Sequence, residues 1–244
     1  MGTLTRKQRE VRQRETALLG IARKMLIEQG YAGLSMDRLA EATEYSKGTI
    51  YQHFSTKEDL ITALAVESSE GRLALMGKAR TYRGRPRERM LALGFADELF
   101  FRLYPHYFRS ELIIHMAGLD SRASSGRREA MTRQDQCAVT WLREIVQEAA
   151  QIGDLPGASI ATAGEVAFSI FSMAIGTHLS VINFPHVVEQ LGVESPWNSM
   201  RDNVHALLDG LGWQPLRSEW DYALTYERII REVFSDECNR AGLA

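Results

Sequence analysis

Residues 34–60, LSMDRLAEATEYSKGTIYQHFSTKEDL, decide the architecture. Ser35 is a good N-cap, and Asp37 falls in the first turn that follows, where a negative charge suits the helix dipole. Met36, Leu39 and Ala40 give that short helix an inward face. Ser46 caps the next one. There Ile50 and Phe54, four residues apart, face inward, while Lys47, Thr49, Gln52 and His53 point away. Gly48 disfavours a helix by about 1 kcal/mol relative to alanine. Its presence makes sense if the backbone approaches something closely, such as a phosphate at the helix N-terminus. Ser55 and Glu58 read as a capping box, with Ser55 at the N-cap and Glu58 at N3, opening a further helix.

Two short helices joined by a tight turn and braced by a longer one in front form the unit that lays a helix in the major groove. The brace is a first helix from about Thr5 to Gln29, with Leu18, Ile21, Ala22, Met25 and Leu26 as its apolar stripe and Gly30 closing it. Outward from there the 3.6-residue period persists to the end of the chain, and no segment with strand periodicity is long enough for a sheet. The fold predicted is all-α. A three-helix DNA-binding domain over residues 1–60, with its motif at about 36–55, is joined to a larger helical domain over 61–244.

Composition narrows the function. The chain has 244 residues, 45% of them hydrophobic and 25% charged, with a formal net charge of -2. The positive charge sits at the front: Arg6, Lys7, Arg9, Arg12, Arg14, Arg23 and Lys24 stand against Glu10 and Glu15. A basic front on an acidic body suits a DNA-binding domain fused to one that does not bind DNA. No apolar run follows the basic start as in a secretory signal. Even residues 161–184 are interrupted by polar side chains, which speaks against a membrane span. Cys137 and Cys238 lie far apart and suggest unpaired thiols; the expected location is the cytoplasm. No nucleophile elbow, P-loop or dinucleotide glycine pattern is present, so no enzyme activity and no cofactor are expected. Glu111 and His115 share a helix face, but no third ligand stands at a telling spacing, so no metal site is assigned. The basic linker over 78–89 reads more readily as a solvated segment than as a DNA contact.

The segment from Arg14 to Ala65 resembles the helix-turn-helix of the TetR (tetracycline-repressor) family. The likeness is strongest over Ser46 to Phe54 and at Lys57-Glu58-Asp59-Leu60. Gly30-Tyr31 followed by Leu34-Ser35-Met36 also fits the family's join between its first two helices. The resemblance implies that Lys47 and Gly48 meet DNA at the start of the recognition helix and that Tyr51 packs on sugar-phosphate. Gln52 and His53 would face bases or backbone, and Lys57 would anchor a phosphate; Ser35, Tyr45, Ser46 and Thr49 complete the contact set. Gln52 is the candidate base reader, since its amide can pair bidentately with adenine. The chain departs from the family where glycine is common, at Glu44, where a small aliphatic residue is usual, at Tyr45, and at Met36, where a hydroxyl is frequent.

Over the remaining three quarters the resemblance holds in outline. It implies a homodimer, with the interface on Ala161–Phe184 and Met200–Leu211, bound to a palindrome in double-stranded DNA. It also implies a ligand-responsive repressor released by a small apolar or aromatic effector. Phe100, Tyr104, Tyr107, Phe108, His115, Trp141, Met173 and His178 are the candidate effector residues; each taken singly reads more readily as ordinary core. A helical carrier protein and a helical-bundle enzyme are the rival classes.

Overall fold

The computed structural model describes residues 5–117, 122–156 and 163–243, without the side chains of residues 109, 110 and 114–117. The described residues contain helices and no strand, and they divide into two compact units.

The first unit takes residues 1–71 and 104–135. It opens with α1 (Arg6–Gly33), capped at Thr5: the threonine side chain accepts from the Gln8 N–H while the Gln8 side chain accepts from the Thr5 N–H. Leu18, Leu19, Ala22 and Leu26 are its buried stripe. Gly30 has φ of 68°, a left-handed conformation that glycine adopts cheaply, and it breaks the helical geometry near the expected end. Next come α2 (Met36–Thr43), α3 (Lys47–His53) and α4 (Lys57–Ala79). Leu34, Leu39, Ile50, Phe54, Leu60, Ile61 and Leu64 close over the α1 stripe, joined by Met131 from α7 (Ser125–Gln151). Fully burying a side chain of this kind stabilises the fold by roughly 1.5–3 kcal/mol, so this one cluster sets the angle between α1 and α3. The unit also holds α6 (Pro105–Ala117) against α1.

At the start of α4 the cap stands one residue later than the Ser55–Glu58 pattern suggests. Thr56 accepts from the Asp59 N–H at 2.9 Å, and Asp59 accepts from the Ser55 N–H and hydroxyl at 3.0 and 3.2 Å. The aspartate displaces the glutamate because Asp59 is buried and has further partners, whereas Glu58 turns to Arg122 at 3.5 Å.

The second unit takes residues 72–103 and 136–244, so α4 and α7 each continue from one unit into the other. Its centre is α5 (Pro86–Leu103), buried along most of its length. Around it stand α8 (Ala163–Asn183), α10 (Pro196–Gly210), α11 (Tyr222–Ile229), a π-helical turn (Ile230–Phe234) and α12 (Ser235–Ala241). The short α9 (Pro185–Gln190), which the sequence pattern does not predict, has proline at its first turn. The last helical segment starts at Tyr222, because the Asp221 carboxylate accepts from the Ala223 and Leu224 N–H groups and fixes the start there.

Two buried ion clusters brace this unit. Arg87 has no exposed surface; its Nη1 donates to the Asp209 carboxylate and to the Trp213 and Pro215 carbonyls at 2.7, 2.5 and 2.9 Å. Those carbonyls belong to the turn after α10, where Gly212 at φ 68° lets the chain reverse. Glu98, 1% exposed, accepts from Arg201 Nε and Nη2 at 2.8 and 2.6 Å, with Arg102 Nε 2.8 Å away.

Candidate nucleic-acid interface

α3 is held from behind and capped in front. Ile50 and Phe54 have no exposed surface, and the Phe54 N–H returns to the Ile50 carbonyl at 3.0 Å, ending the helix. Ser46 accepts from the Thr49 N–H at 3.2 Å, and the two hydroxyls lie 2.9 Å apart. Upstream, Ser35 accepts from the Arg38 N–H at 3.2 Å, and α2 ends at Glu44 with φ of 57°. Glu44 thus adopts the left-handed turn for which glycine is the common choice, and the tight α2–α3 geometry is kept.

The outer face of α3 and its approach expose Tyr45, Ser46, Lys47, Gly48, Tyr51 and Gln52 together. Tyr45 and Tyr51 are 40% and 50% exposed, unusual for aromatic rings with a core available beneath. The Lys47 ammonium pairs with Asp37 at 2.9 Å in open solvent, and that carboxylate raises the lysine's proton affinity. A Cβ on Gly48 would come no nearer than 3.8 Å to its closest neighbour, the Ser46 hydroxyl, so crowding within the chain does not require the glycine. Arg14 of α1 stands over the Tyr45 ring at 5.6 Å, which brings the basic front beside the start of α3.

Two of the residues expected to contact DNA are engaged internally. The His53 side chain is 6% exposed, with Nδ1 3.6 Å from Glu15. Lys57 donates to the Tyr31 carbonyl at 2.5 Å and lies 3.8 Å over the Tyr31 ring; burial pushes its ammonium pKa down. Thr49, half-buried, and Ser35 act as capping partners.

A residue that no sequence motif singles out ties the interface together. Arg127, in the first turn of α7, donates to Asp59 at 2.6 Å, to Glu15 at 3.0 Å and to the His53 carbonyl at 3.0 Å, and lies 4.9 Å over the Phe54 ring. The Ser124 N–H adds a bond to Asp59 at 3.0 Å. Burial alone would push the Asp59 carboxyl up, but the Ser124 and Ser55 N–H groups and Arg127 bring it down to about 2. Nothing near Arg127 in the sequence marks it, since its partners lie 68, 112 and 74 positions away.

The candidate effector residues are divided between the two units. Tyr104, Tyr107 and Phe108 belong to the first, where Arg23 covers the Tyr107 ring at 4.1 Å and Phe108 is buried. Phe100, Trp141, Met173 and His178 belong to the second. Phe100 is core; His178 is 2% exposed, stacked on Phe101 at 4.7 Å and 5.4 Å from Trp197. Trp141 lines a small cleft of about 140 Å³ with the ion pairs Arg80–Glu144 and Arg89–Glu148. The side chain of His115 lies outside the described residues. No cluster of three or more potential metal ligands occurs among the described residues.

α8 carries an uncovered apolar face, with Phe168 and Phe171 68% and 45% exposed. Contrary to the expectation from its interrupting polar residues, α8 is long and apolar enough, by length and composition, to cross a membrane; among the described residues it alone is. The chain continues apolar beyond it, with Phe184, Val187 and Leu191 exposed. α10 packs beside α8 and ends near the exposed Leu211. Residues 161 and 162, at the start of the expected dimer face, lie outside the described residues.

Comparison with known proteins adds to this geometry. The family model for bacterial regulatory proteins of the tetR family matches residues 18–64, the segment from the α1 stripe to the first turns of α4. The transcriptional repressor AcnR of Corynebacterium diphtheriae is 42% identical over 60 residues, covering 25% of this chain and 32% of that protein. The transcriptional regulator UidR of Escherichia coli K12 is 36% identical over 67 residues, covering 28% and 34%. The chain therefore spans about a third of the length of the curated relatives it matches. A Rhodococcus RHA1 regulatory protein of the tetR family shares the fold over 82% of this chain and 97% of its own, with a TM-score of 0.63 and 17% identity.

Proposed function

We propose, on the premise that its amino-terminal domain makes this chain a member of the tetR family of bacterial regulatory proteins, that it is a transcriptional regulator. It binds a palindromic operator in duplex DNA as a homodimer and represses transcription until a small molecule releases it. The observation that carries this reading is the outer face of α3: exposed Lys47, Gly48, Tyr51 and Gln52 on a helix pinned from behind by Ile50 and Phe54. Lys47 and Gly48 approach phosphate at the helix start, Tyr51 packs along sugar-phosphate, and Gln52 reads a base edge. Tyr45, Ser46, Thr49 and Ser35 shape the approach to the groove. Lys57 contributes its charge from the start of α4, beside Tyr31, and His53 acts by holding α3 to Glu15.

The dimer doubles the contacts and places two recognition helices about one helical turn apart. The exposed Phe168 and Phe171 on α8, with the neighbouring α10, support this interface, because a second copy would bury rings that this chain leaves in water. The same covering gives α8 a use without a membrane and suits a protein of the cytoplasm. An effector, apolar or aromatic, in the helical domain favours a conformation whose α3 helices no longer match the groove. A hundredfold preference for that state corresponds to roughly 2.7 kcal/mol of coupling. The reading assigns no catalytic role.

Fluorescence anisotropy of the protein on DNA from upstream of its own gene, against scrambled duplex at two salt concentrations, tests the proposal. Sequence-preferring binding that weakens with salt is expected. Equal, weak binding to that DNA and to a genome-derived duplex pool alike would overturn it.

A further inference from the structure

A cleft of about 560 Å³ in the second unit runs between α10 and the segment leading into α11, and none of the candidate effector residues lines it. Its floor and walls include Arg201, Asp202, His205, Arg217, Trp220 and Tyr226. The volume falls within the usual range for small-molecule sites.

His205, 3% exposed, gives the cleft its chemical character. Its Nδ1 lies 3.3 Å from Nη2 of the buried Arg87. A guanidinium only donates, so Nδ1 must offer its lone pair and the ring proton resides on Nε2. Burial first, and then the Arg87 charge, lower the His205 pKa to about 4, which keeps this tautomer neutral at ordinary pH. Among the described residues no acceptor meets the Nε2–H, and none meets the Tyr226 hydroxyl, whose ring stands edge-on to His205 at 6.2 Å. Both residues line the cleft, so these two donors are open to water or to a bound acceptor there.

The other polar groups of the cleft are already matched or exchangeable. Asp221 is committed to the cap of α11. Arg201 spends Nε and Nη2 on Glu98 and lies 5.0 Å over the Tyr226 ring. Arg217 pairs with Asp202 at 2.8 Å, but both are more than half exposed, and such a pair exchanges partners at little cost. Trp220 is 37% exposed, and its indole N–H is fixed on the Thr225 hydroxyl at 3.0 Å. The unspent groups are thus donors and a cation, set beside two aromatic faces.

We infer that this cleft is a binding site for a planar aromatic carboxylate, its ring against Trp220 and Tyr226 and its carboxylate on the His205 Nε2–H and Arg217. The two carboxylates that line the cleft are already engaged, Asp202 by Arg217 and Asp221 by the α11 cap, so an organic cation has less to gain there than an anion. The inference does not depend on DNA binding.

Isothermal titration calorimetry of the full chain with 2-naphthoate, in the absence of DNA, tests it, with 2-naphthylmethylammonium as the cationic counterpart. The carboxylate is expected to bind with Kd of about 0.1 mM and the cation at least about tenfold more weakly. Arg217→Ala, at the surface, should weaken naphthoate about tenfold at unchanged thermal midpoint, and Trp220→Ala should weaken it similarly with a lower midpoint, because the ring is largely buried and bonded to Thr225. His205→Phe, which keeps the ring and removes the donor, should weaken it similarly. No heat with naphthoate, equal binding of the cation, or full binding in the Trp220 and Arg217 variants would each overturn the assignment.

Discussion

The Arg127 guanidinium lies 2.6 Å from the Asp59 carboxylate, and its second amino group reaches Glu15 and the His53 carbonyl at 3.0 Å each. One side chain of α7 therefore fixes the end of α3, the start of α4 and the flank of α1. The orientation of α3 depends on this junction as well as on the Ile50–Phe54 core.

Removing either partner leaves the other partly buried and without one of its charged partners, although Asp59 keeps the Ser55 and Ser124 N–H groups and Arg127 keeps Glu15. Arg127→Met should destabilise the fold by about 3 kcal/mol, and combining it with Asp59→Asn should show a coupling of about 1–3 kcal/mol. Urea unfolding of the four proteins measures this. Strictly additive losses would mean that the pair contributes nothing jointly.

Asp59 also sets an acid limit. Its folded pKa of about 2 lies below the ordinary 3.8, so the carboxylate is favoured by folding. The contribution is present in full above about pH 4 and is lost as pH falls through about 2; it amounts to about 2 kcal/mol. Asp59→Asn should be less stable than the parent at pH 6, and the gap should narrow by about that amount at pH 2. A gap independent of pH would mean that the Asp59 charge does not stabilise the fold.

Lys47→Ala should weaken binding to specific and scrambled duplex alike and reduce the salt slope by about one. Its pair with Asp37 is exposed and worth little, so the variant should remain folded. Gln52→Ala should instead lose about 1–3 kcal/mol at one base pair only. Anisotropy across a set of single-base operator variants separates the two outcomes.

Glu44 is the one described non-glycine residue with positive φ. Glu44→Gly should relieve the left-handed strain while adding some unfolded-state entropy, for a net gain of about 0.5–1 kcal/mol. A rise of about 1–3 °C in thermal midpoint is the expected reading. A fall would mean that the glutamate side chain stabilises the turn.

Phe168→Asp on the exposed face of α8 should leave the monomer folded and abolish its pairing. Analytical ultracentrifugation at micromolar concentration should show a dimer for the parent and a monomer for the variant. An unchanged dimer would place the interface elsewhere.

The helix-turn-helix was legible in the sequence because its determinants are local. Ser35 and Ser46 cap helices through N–H groups three residues away, and the Ile50–Phe54 spacing defines an inward face within a single turn. Gly30 and the Asp37 charge act over the same range. The outcome differed where a distant partner intervened. The α4 cap moved from Ser55 to Thr56 because Asp59 is drawn into a junction with Ser124 and Arg127.

By itself, then, the sequence determined the all-α class, the succession of the first four helices and the face of α3 that points outward, since periodicity and capping act between neighbours in the chain. Only the tertiary structure decided that His53 turns inward to Glu15, that Arg127 binds α1, α3 and α4, and that the aromatic run over 100–108 is divided between two units. Those outcomes depend on which distant side chains compete for a buried charge or an apolar surface, and no local spacing encodes that competition.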